Sequence, residues 1–126
     1  MLFRSQITDD AIVRALGRQM NMAVAKQAVA ASNLANLDTP GYRTRDVEFD
    51  EVLTTELTRA SSGPGLEKVA ARVVEAPGLA SRRDGNNVQL DRELLQMGHA
   101  SADFSEAQTA LNAKFRLIRY AISEAR

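Results

Sequence analysis

At 126 residues the chain has room for one small domain, and 44% hydrophobic against 25% charged side chains is the balance of an ordinary globular protein. Sixteen Lys and Arg offset sixteen Asp and Glu, so the global attraction that draws a chain to nucleic acid or to an anionic membrane is missing, and partners are expected to be proteins. The absence of cysteine excludes disulfides and thiolate chemistry, and a single histidine leaves little for a transition metal.

The opening Met1-Leu2-Phe3-Arg4-Ser5-Gln6 runs into no apolar h-region, and Ala28-Val29-Ala30-Ala31 is too short for a signal peptide or a bilayer span. Any exit from the cytoplasm is expected to use a route that cleaves no signal. Val13, Leu16, Met20, Ala23, Gln27, Ala30, Leu34 and Leu37 then follow at alternating steps of three and four, the seam of an amphipathic helix with one polar interruption. Thr8, followed by Asp9 and Asp10, offers an N-cap hydroxyl and negative charge for the positive end of the helix dipole. Pro40 holds Thr39 extended and Gly41 permits a sharp turn, so the helix is predicted over about 9–38, within a first segment 1–40.

The three prolines, Pro40, Pro64 and Pro77, and five of the seven glycines lie between positions 40 and 85, which makes 41–87 an irregular middle segment. Within it Asp46-Val47-Glu48-Phe49 alternates as a half-buried extended stretch does. Phe49, Leu53 and Leu57 predict a short helix over 50–59. Ser61-Ser62-Gly63-Pro64-Gly65 reads as an exposed loop, and Val69, Val73 and Val74 as a strand before the Pro77-Gly78 turn. After Asp84-Gly85-Asn86-Asn87, a turn signal, the last segment 88–126 carries a second seam, Leu94, Met97, Ser101, Phe104, Gln108, Leu111, Phe115, Ile118 and Ile122, and a helix over about 90–124. Arg116, Arg119 and Arg126 gather toward its end, where cations complement the dipole. Gly17 and Gly98 each cost about 1 kcal/mol inside a helix, which close helix approach would explain.

The resulting fold class is mainly α: one domain in which two long terminal helices form an antiparallel, coiled-coil-like pair, with a small irregular middle segment containing short extended stretches. Ala23 and Ala30 each offer about 0.8 kcal/mol of burial, against ~1 to 2 kcal/mol per residue for ordering the backbone. The helices are therefore expected to draw most of their stability from neighbouring subunits, and the isolated monomer to be disordered over much of both flanks. Gln27, Ser101 and Gln108, polar positions on the seams, are read as setting register.

The residues that bear chemistry point away from catalysis. His99 and Asp103, four apart, are a solvated pair on one helix face. Asp46, Glu48, Asp50 and Glu51 lack the spacing and glycine of a calcium loop. Arg43 and Arg45 beside Tyr42 are offset by Asp38, Asp46 and Glu48, which favours intersubunit salt bridges over nucleic acid. Gly63-Pro64-Gly65 lacks the lysine and hydroxyl of a phosphate loop. No serine, histidine and acid are spaced as a nucleophile with its base. The chain is read as no enzyme, with no metal, cofactor or small-molecule substrate.

One run is more specific. Ala31-Ser32-Asn33-Leu34-Ala35-Asn36-Leu37-Asp38-Thr39-Pro40-Gly41-Tyr42 resembles the motif shared by flagellar axial proteins of the rod, hook and hook-associated kinds. In it Asn33 and Asn36, three apart, lie on one face and can cap carbonyls or bridge chains, while Pro40-Gly41 sets the exit direction. The stretches 43–49, 84–93 and 110–122 are similar to the proximal type within the flagellar basal-body rod protein family. The resemblance covers almost the whole chain and is weakest over 55–80. Ala100 and Phe104 stand where that family commonly has an asparagine and then a tyrosine, which removes a polar contact and keeps the packing.

The resemblance implies a rod subunit exported from the cytoplasm, unfolded or nearly so, by the flagellar type III apparatus without signal cleavage. It implies helical assembly in the basal body, in the periplasmic space, with both terminal helices in the inner layer, transmitting torque and enclosing the export channel. Implied partners are copies of itself, other rod subunits and the small adaptor joining rod to membrane ring and export gate. The alternatives are another flagellar axial subunit or a type III-secreted coiled-coil adaptor.

Overall fold

Two segments free of proline form helices of nearly equal length in the computed structural model, which describes residues 2–50 and 71–125, with side chains from Asp10 onward. Helix α1 spans Leu2–Ala35 and helix α2 spans Leu90–Glu124, each about 50 Å long at 1.5 Å per residue. They run antiparallel: Gln19 Nε2 donates to the Asp103 carbonyl at 3.1 Å, and Asn33 Nδ2 donates to Glu93 Oε2 at 3.0 Å. The pair is the mainly α architecture expected from the two seams.

Small side chains line the centre of the hairpin. Ala23 and Ala30 on α1 and Ala100 and Ala107 on α2 are buried, and the short side chains let the two backbones come close. On α1 they are flanked by half-buried Leu16, Met20, Gln27 and Leu34, as the spacing predicts. On α2 the packed stripe is Glu93, Met97, Ala100, Phe104, Ala107, Leu111 and Lys114. It shares Met97, Phe104 and Leu111 with the sequence seam and replaces Leu94, Ser101, Gln108 and Phe115 by their preceding neighbours. A one-residue rotation brings alanines, rather than branched or aromatic side chains, against the alanines of α1. Leu94, Phe115, Ile118 and Ile122 consequently stand exposed. Ala100 and Phe104 both sit in the packed stripe.

Several expectations are corrected. Helix α1 begins at Leu2, so Thr8 lies within the helical run and does not precede it; no breaker separates Leu2 from Thr8. It ends at Ala35, and the Leu37 amide bonds back to the Leu34 carbonyl in a tighter turn. The bounds of α2 match the expected 90–124. Gly98 is not explained by the hairpin: a Cβ there would meet nothing within 4 Å. Arg116 and Arg119 precede the last turn of α2, which carries no basic residue. Ser101 and Gln108 are exposed, and the polar contact that crosses between the helices midway along them is made by Gln19 instead.

The middle segment supplies a two-stranded antiparallel ribbon, β1 Arg45–Phe49 and β2 Ala71–Glu75, in register from Arg45 opposite Glu75 to Phe49 opposite Ala71. These are the two extended stretches expected from alternation at 46–49 and from Val73 and Val74. The ribbon packs on α1, where Lys26 Nζ lies 5.8 Å from the centre of the Phe49 ring. The acidic residues of the ribbon pair within the chain: Glu75 with Arg43, Glu48 with Arg72, and Asp46 with Arg92. The expected salt bridges of Arg43, Asp46 and Glu48 are thus formed within the single chain. The expected helix beyond Asp50, with Leu53 and Leu57, the loop 61–65 and Val69 lie outside the described residues. Among the described residues no helix is long and apolar enough to cross a membrane.

Candidate functional site

The joint between hairpin and ribbon is built from the segment 33–45 and the segment 82–93. Its centre is Asn33, fully buried on the last turns of α1. A buried carboxamide offers two donors and two acceptor sites, and here all are used. Asn33 Nδ2 donates to the Arg45 carbonyl at 2.8 Å and to Glu93 Oε2 at 3.0 Å. Asn33 Oδ1 accepts from the Tyr42 hydroxyl and the Arg45 amide, each at 3.0 Å. One side chain thereby ties α1 to the turn, the ribbon and α2.

Glu93 is a carboxylate with 1% of its surface exposed, and a buried charge is tolerated only when paired and hydrogen-bonded. Besides Asn33 it accepts from Arg92 at 2.5 Å, and the same guanidinium reaches both carboxylate oxygens of Asp46 at 2.7 and 2.9 Å. Burial works against the charge on Arg92, but the hydrogen bonds and charges of Asp46 and Glu93 outweigh it and raise its pKa above the ordinary value. Glu93 and Asp91 also occupy the first turn of α2, the favourable end of the dipole for an acid.

A helix leaves its last carbonyls without intrahelical donors. Those of α1 accept from Asn36 and Leu37, while Asn86, fully buried, faces the turn beyond, donating from Nδ2 to the carbonyls of Asn36 at 2.9 Å, Leu37 at 3.1 Å and Thr39 at 2.8 Å. Arg82 also donates to the Leu37 carbonyl. Asn36 acts locally, with Nδ2 on the Ser32 carbonyl and Oδ1 accepting from the Thr39 hydroxyl. Gly41 adopts φ +76 and Gly85 φ +85, the left-handed region that favours glycine. The two turns nest: the Gly41 amide donates to the Asp84 carbonyl at 2.8 Å, and a Cβ on Gly85 would sit 3.4 Å from the Gly41 Cα.

The motif residues thus divide. Asn33 is buried, Asn36 and Tyr42 are half-buried, and Thr39, Pro40 and Gly41 are exposed. Of the seam residues, Leu16, Met20, Leu34, Leu37, Met97, Phe104 and Leu111 are half-buried. Asn33 and Tyr42 are joined directly to each other; Pro40 reaches the site only through the turn it helps to shape. Sequence reading did not single out Thr44, Arg82, Asn86, Asn87, Arg92 or Glu93. Asp84-Gly85-Asn86-Asn87 was legible as a turn, and the two consecutive amides in it were the available sign of carbonyl capping. Nothing local marks Glu93 as buried. Thr44 Oγ1 and Asn87 Nδ2 are buried without a hydrogen-bond partner, although the Thr44 amide donates to Asn87 Oδ1 at 2.6 Å.

The arrangement holds backbone in place. Comparison with known proteins agrees on where it lies. The family described as flagella basal body rod protein matches residues 15–43, the run from mid-α1 through the turn. Flagellar basal body rod protein FlgB of Aeromonas hydrophila is 34% identical over 98 residues, covering 68% of this chain and 73% of that protein. FlgB of Yersinia enterocolitica is 30% identical over 123 residues, covering 85% and 90%, and FlgB of Escherichia coli (strain K12) 29% over 127 residues, covering 85% and 89%. With Asn33 and the turn that follows it inside the matched region and its relatives aligned over most of both lengths, the chain belongs to the flagellar basal body rod protein family, as a FlgB-like member.

Proposed function

We propose that the chain works as a structural subunit of the proximal rod, assembling with copies of itself and other rod subunits through the termini-bearing end of its hairpin. One observation carries this beyond family membership. The last third of α2 is apolar on both sides: Phe115, Ile118 and Ile122 lie on one, and Leu117 and Tyr120 on the other. All five are exposed, Leu117 and Tyr120 each to 68%. Large apolar side chains on two sides of a helix, with Arg116 and Arg119 between them, are more than a single packed stripe needs, and here both sides are open. The uncovered surface therefore calls for at least one neighbour.

The opposite end of the hairpin differs in kind, because the clasp there uses its polar groups within the chain. A subunit with one joint that pairs most of its polar groups internally and one adhesive end suits a mechanical role, in which a hollow assembly encloses the export channel and passes torque through stiff helices. Export without signal cleavage, placement in the periplasmic part of the basal body and contact with the adaptor at the membrane ring follow from the same reading. Deleting the gene should abolish swimming and leave basal bodies without a rod, with rescue by the intact gene. A deletion strain that builds complete flagella and swims would overturn the proposal in favour of a secreted coiled-coil adaptor.

A further inference from the structure

The bonds that shape residues 36–44 come from two sources. The local ones are short-range turns: the Thr39 amide to the Asn36 carbonyl at 3.1 Å, the Tyr42 amide to the Thr39 carbonyl at 3.2 Å, and the Thr39 hydroxyl to Asn36 Oδ1. Asn36 and Leu37 also bond back to α1, and the Tyr42 hydroxyl reaches Asn33 there; the other bonds arrive from far along the chain. Asn86 Nδ2 has two hydrogens for three carbonyls at sequence separations of 50, 49 and 47. The Leu37 carbonyl is served by Asn86 and Arg82 and by no local donor. The Gly41 amide is held by the Asp84 carbonyl, the Tyr42 carbonyl by the Asn87 amide, and the Thr44 amide by Asn87 Oδ1.

The helix end and the turn beyond it are therefore held differently. Helices are commonly closed by the one or two residues that follow them, with a glycine amide bonding back to the last turn. Here Asn36 and Leu37 close the helix in that way, bonding back to the Ser32, Asn33 and Leu34 carbonyls, but the glycine of the turn beyond, Gly41, sends its amide to Asp84, and the carbonyls of Asn36, Leu37 and Thr39 meet Asn86. Gly41 loses more conformational freedom on ordering than any other residue type, so its left-handed turn needs the docked partner. Meanwhile the alanine stripe of the hairpin, at Ala23, Ala30, Ala100 and Ala107, lies further along the helices and makes no use of Asn86.

We infer that the motif's turn is ordered in trans: Asn86 is the positioning residue for the turn from Asn36 to Tyr42 that follows α1, which stays open until residues 82–88 dock. A chain that emerges N-terminus first carries this segment unclosed, however early α1 itself forms. Once folded, the joint opens and closes as a unit made of 36–44 and 82–88, separately from the hairpin.

Hydrogen exchange on the full chain tests this. Asn86→Asp retains the shape and the Oδ1 acceptor for the Val88 amide, bonded at 2.8 Å, and removes the Nδ2 donor. Exchange at 36–44 should rise roughly tenfold or more, with amides at 20–30 and 100–107 unchanged. A uniform rise along the chain, which a merely structural role would give, overturns the inference, as does no rise. Independently of any variant, native-state exchange of the unaltered protein in graded denaturant should show the Gly41 and Thr44 amides opening in one step with 85–88, before the hairpin. Opening of 36–44 together with α1 and apart from 85–88 would also overturn it.

Discussion

Asn33 and Glu93, sixty positions apart, meet in a 3.0 Å hydrogen bond with both side chains essentially removed from solvent. The pair fixes α1 against the start of α2, so the distance between the two terminal segments is set at this end by a polar contact and elsewhere by alanines. Because Asn33 also serves Arg45 and Tyr42, its loss orphans four groups at once.

Asn33→Ala should therefore be the most damaging single substitution in the motif. Each buried partner left unsatisfied costs about 1–3 kcal/mol, so a loss of at least about 2 kcal/mol is expected by denaturant melting. Asn33→Asp should be no better, since it sets a second carboxylate against Glu93 and lacks a donor for the Arg45 carbonyl. Either variant melting like the unaltered chain would show that the clasp contributes nothing.

How much of this was legible beforehand depends on the range of the interaction. The three-four spacing of Leu16, Met20, Leu34, Met97, Phe104 and Leu111 encodes helices directly, because periodicity is a local property. Alternation at Asp46-Val47-Glu48-Phe49 likewise placed β1. The rotation of the α2 stripe was not legible, since it depends on which side chains suit the alanines opposite, and Leu94 and Phe115 outweigh Ala100 and Ala107 in any hydrophobic pattern. The clasp was half legible: the spacing of Asn33 and Asn36 suggested carbonyl capping, but Asn36 caps its own helix while Asn33 reaches across the fold. Asn86 and Glu93 declare themselves only when residues 33–45 and 82–93 are brought together.

Thr44→Val tests the opposite kind of buried polar atom. The Thr44 hydroxyl has no hydrogen-bond partner, so replacing it with a methyl removes an uncompensated desolvation cost while the Thr44 amide keeps its bond to Asn87. A gain of up to about 1 kcal/mol is expected. A loss of stability would reveal a partner for that hydroxyl in solution.

Gly98 lies exposed in the interior of α2 with open space where a Cβ would go. Gly98→Ala should raise the stability of the unassembled chain by about 0.5–1 kcal/mol through helix propensity. If stability rises and swimming is lost, the glycine serves a neighbour that approaches α2 closely in the rod. Unchanged motility would leave the glycine without a role in assembly.

The exposed end of α2 gives the most direct test of the adhesive surface. Leu117→Glu combined with Tyr120→Glu changes two side chains that are each 68% exposed and lie away from the packed stripe, so the clasp and the alanine contacts are untouched. Burying even one of the added carboxylates without a partner costs several kcal/mol, enough to exclude it from a dry interface. The double variant should retain the local fold of the joint, seen as unchanged exchange at Gly41 and Thr44, yet fail to self-associate in sedimentation and fail to restore swimming to a deletion strain. Helix content of the unaltered chain should rise with concentration as neighbours cover this surface, and that of the variant should not. Normal assembly by the double variant would mean that these apolar residues face the channel or solvent in the finished structure, and that the subunits hold together elsewhere.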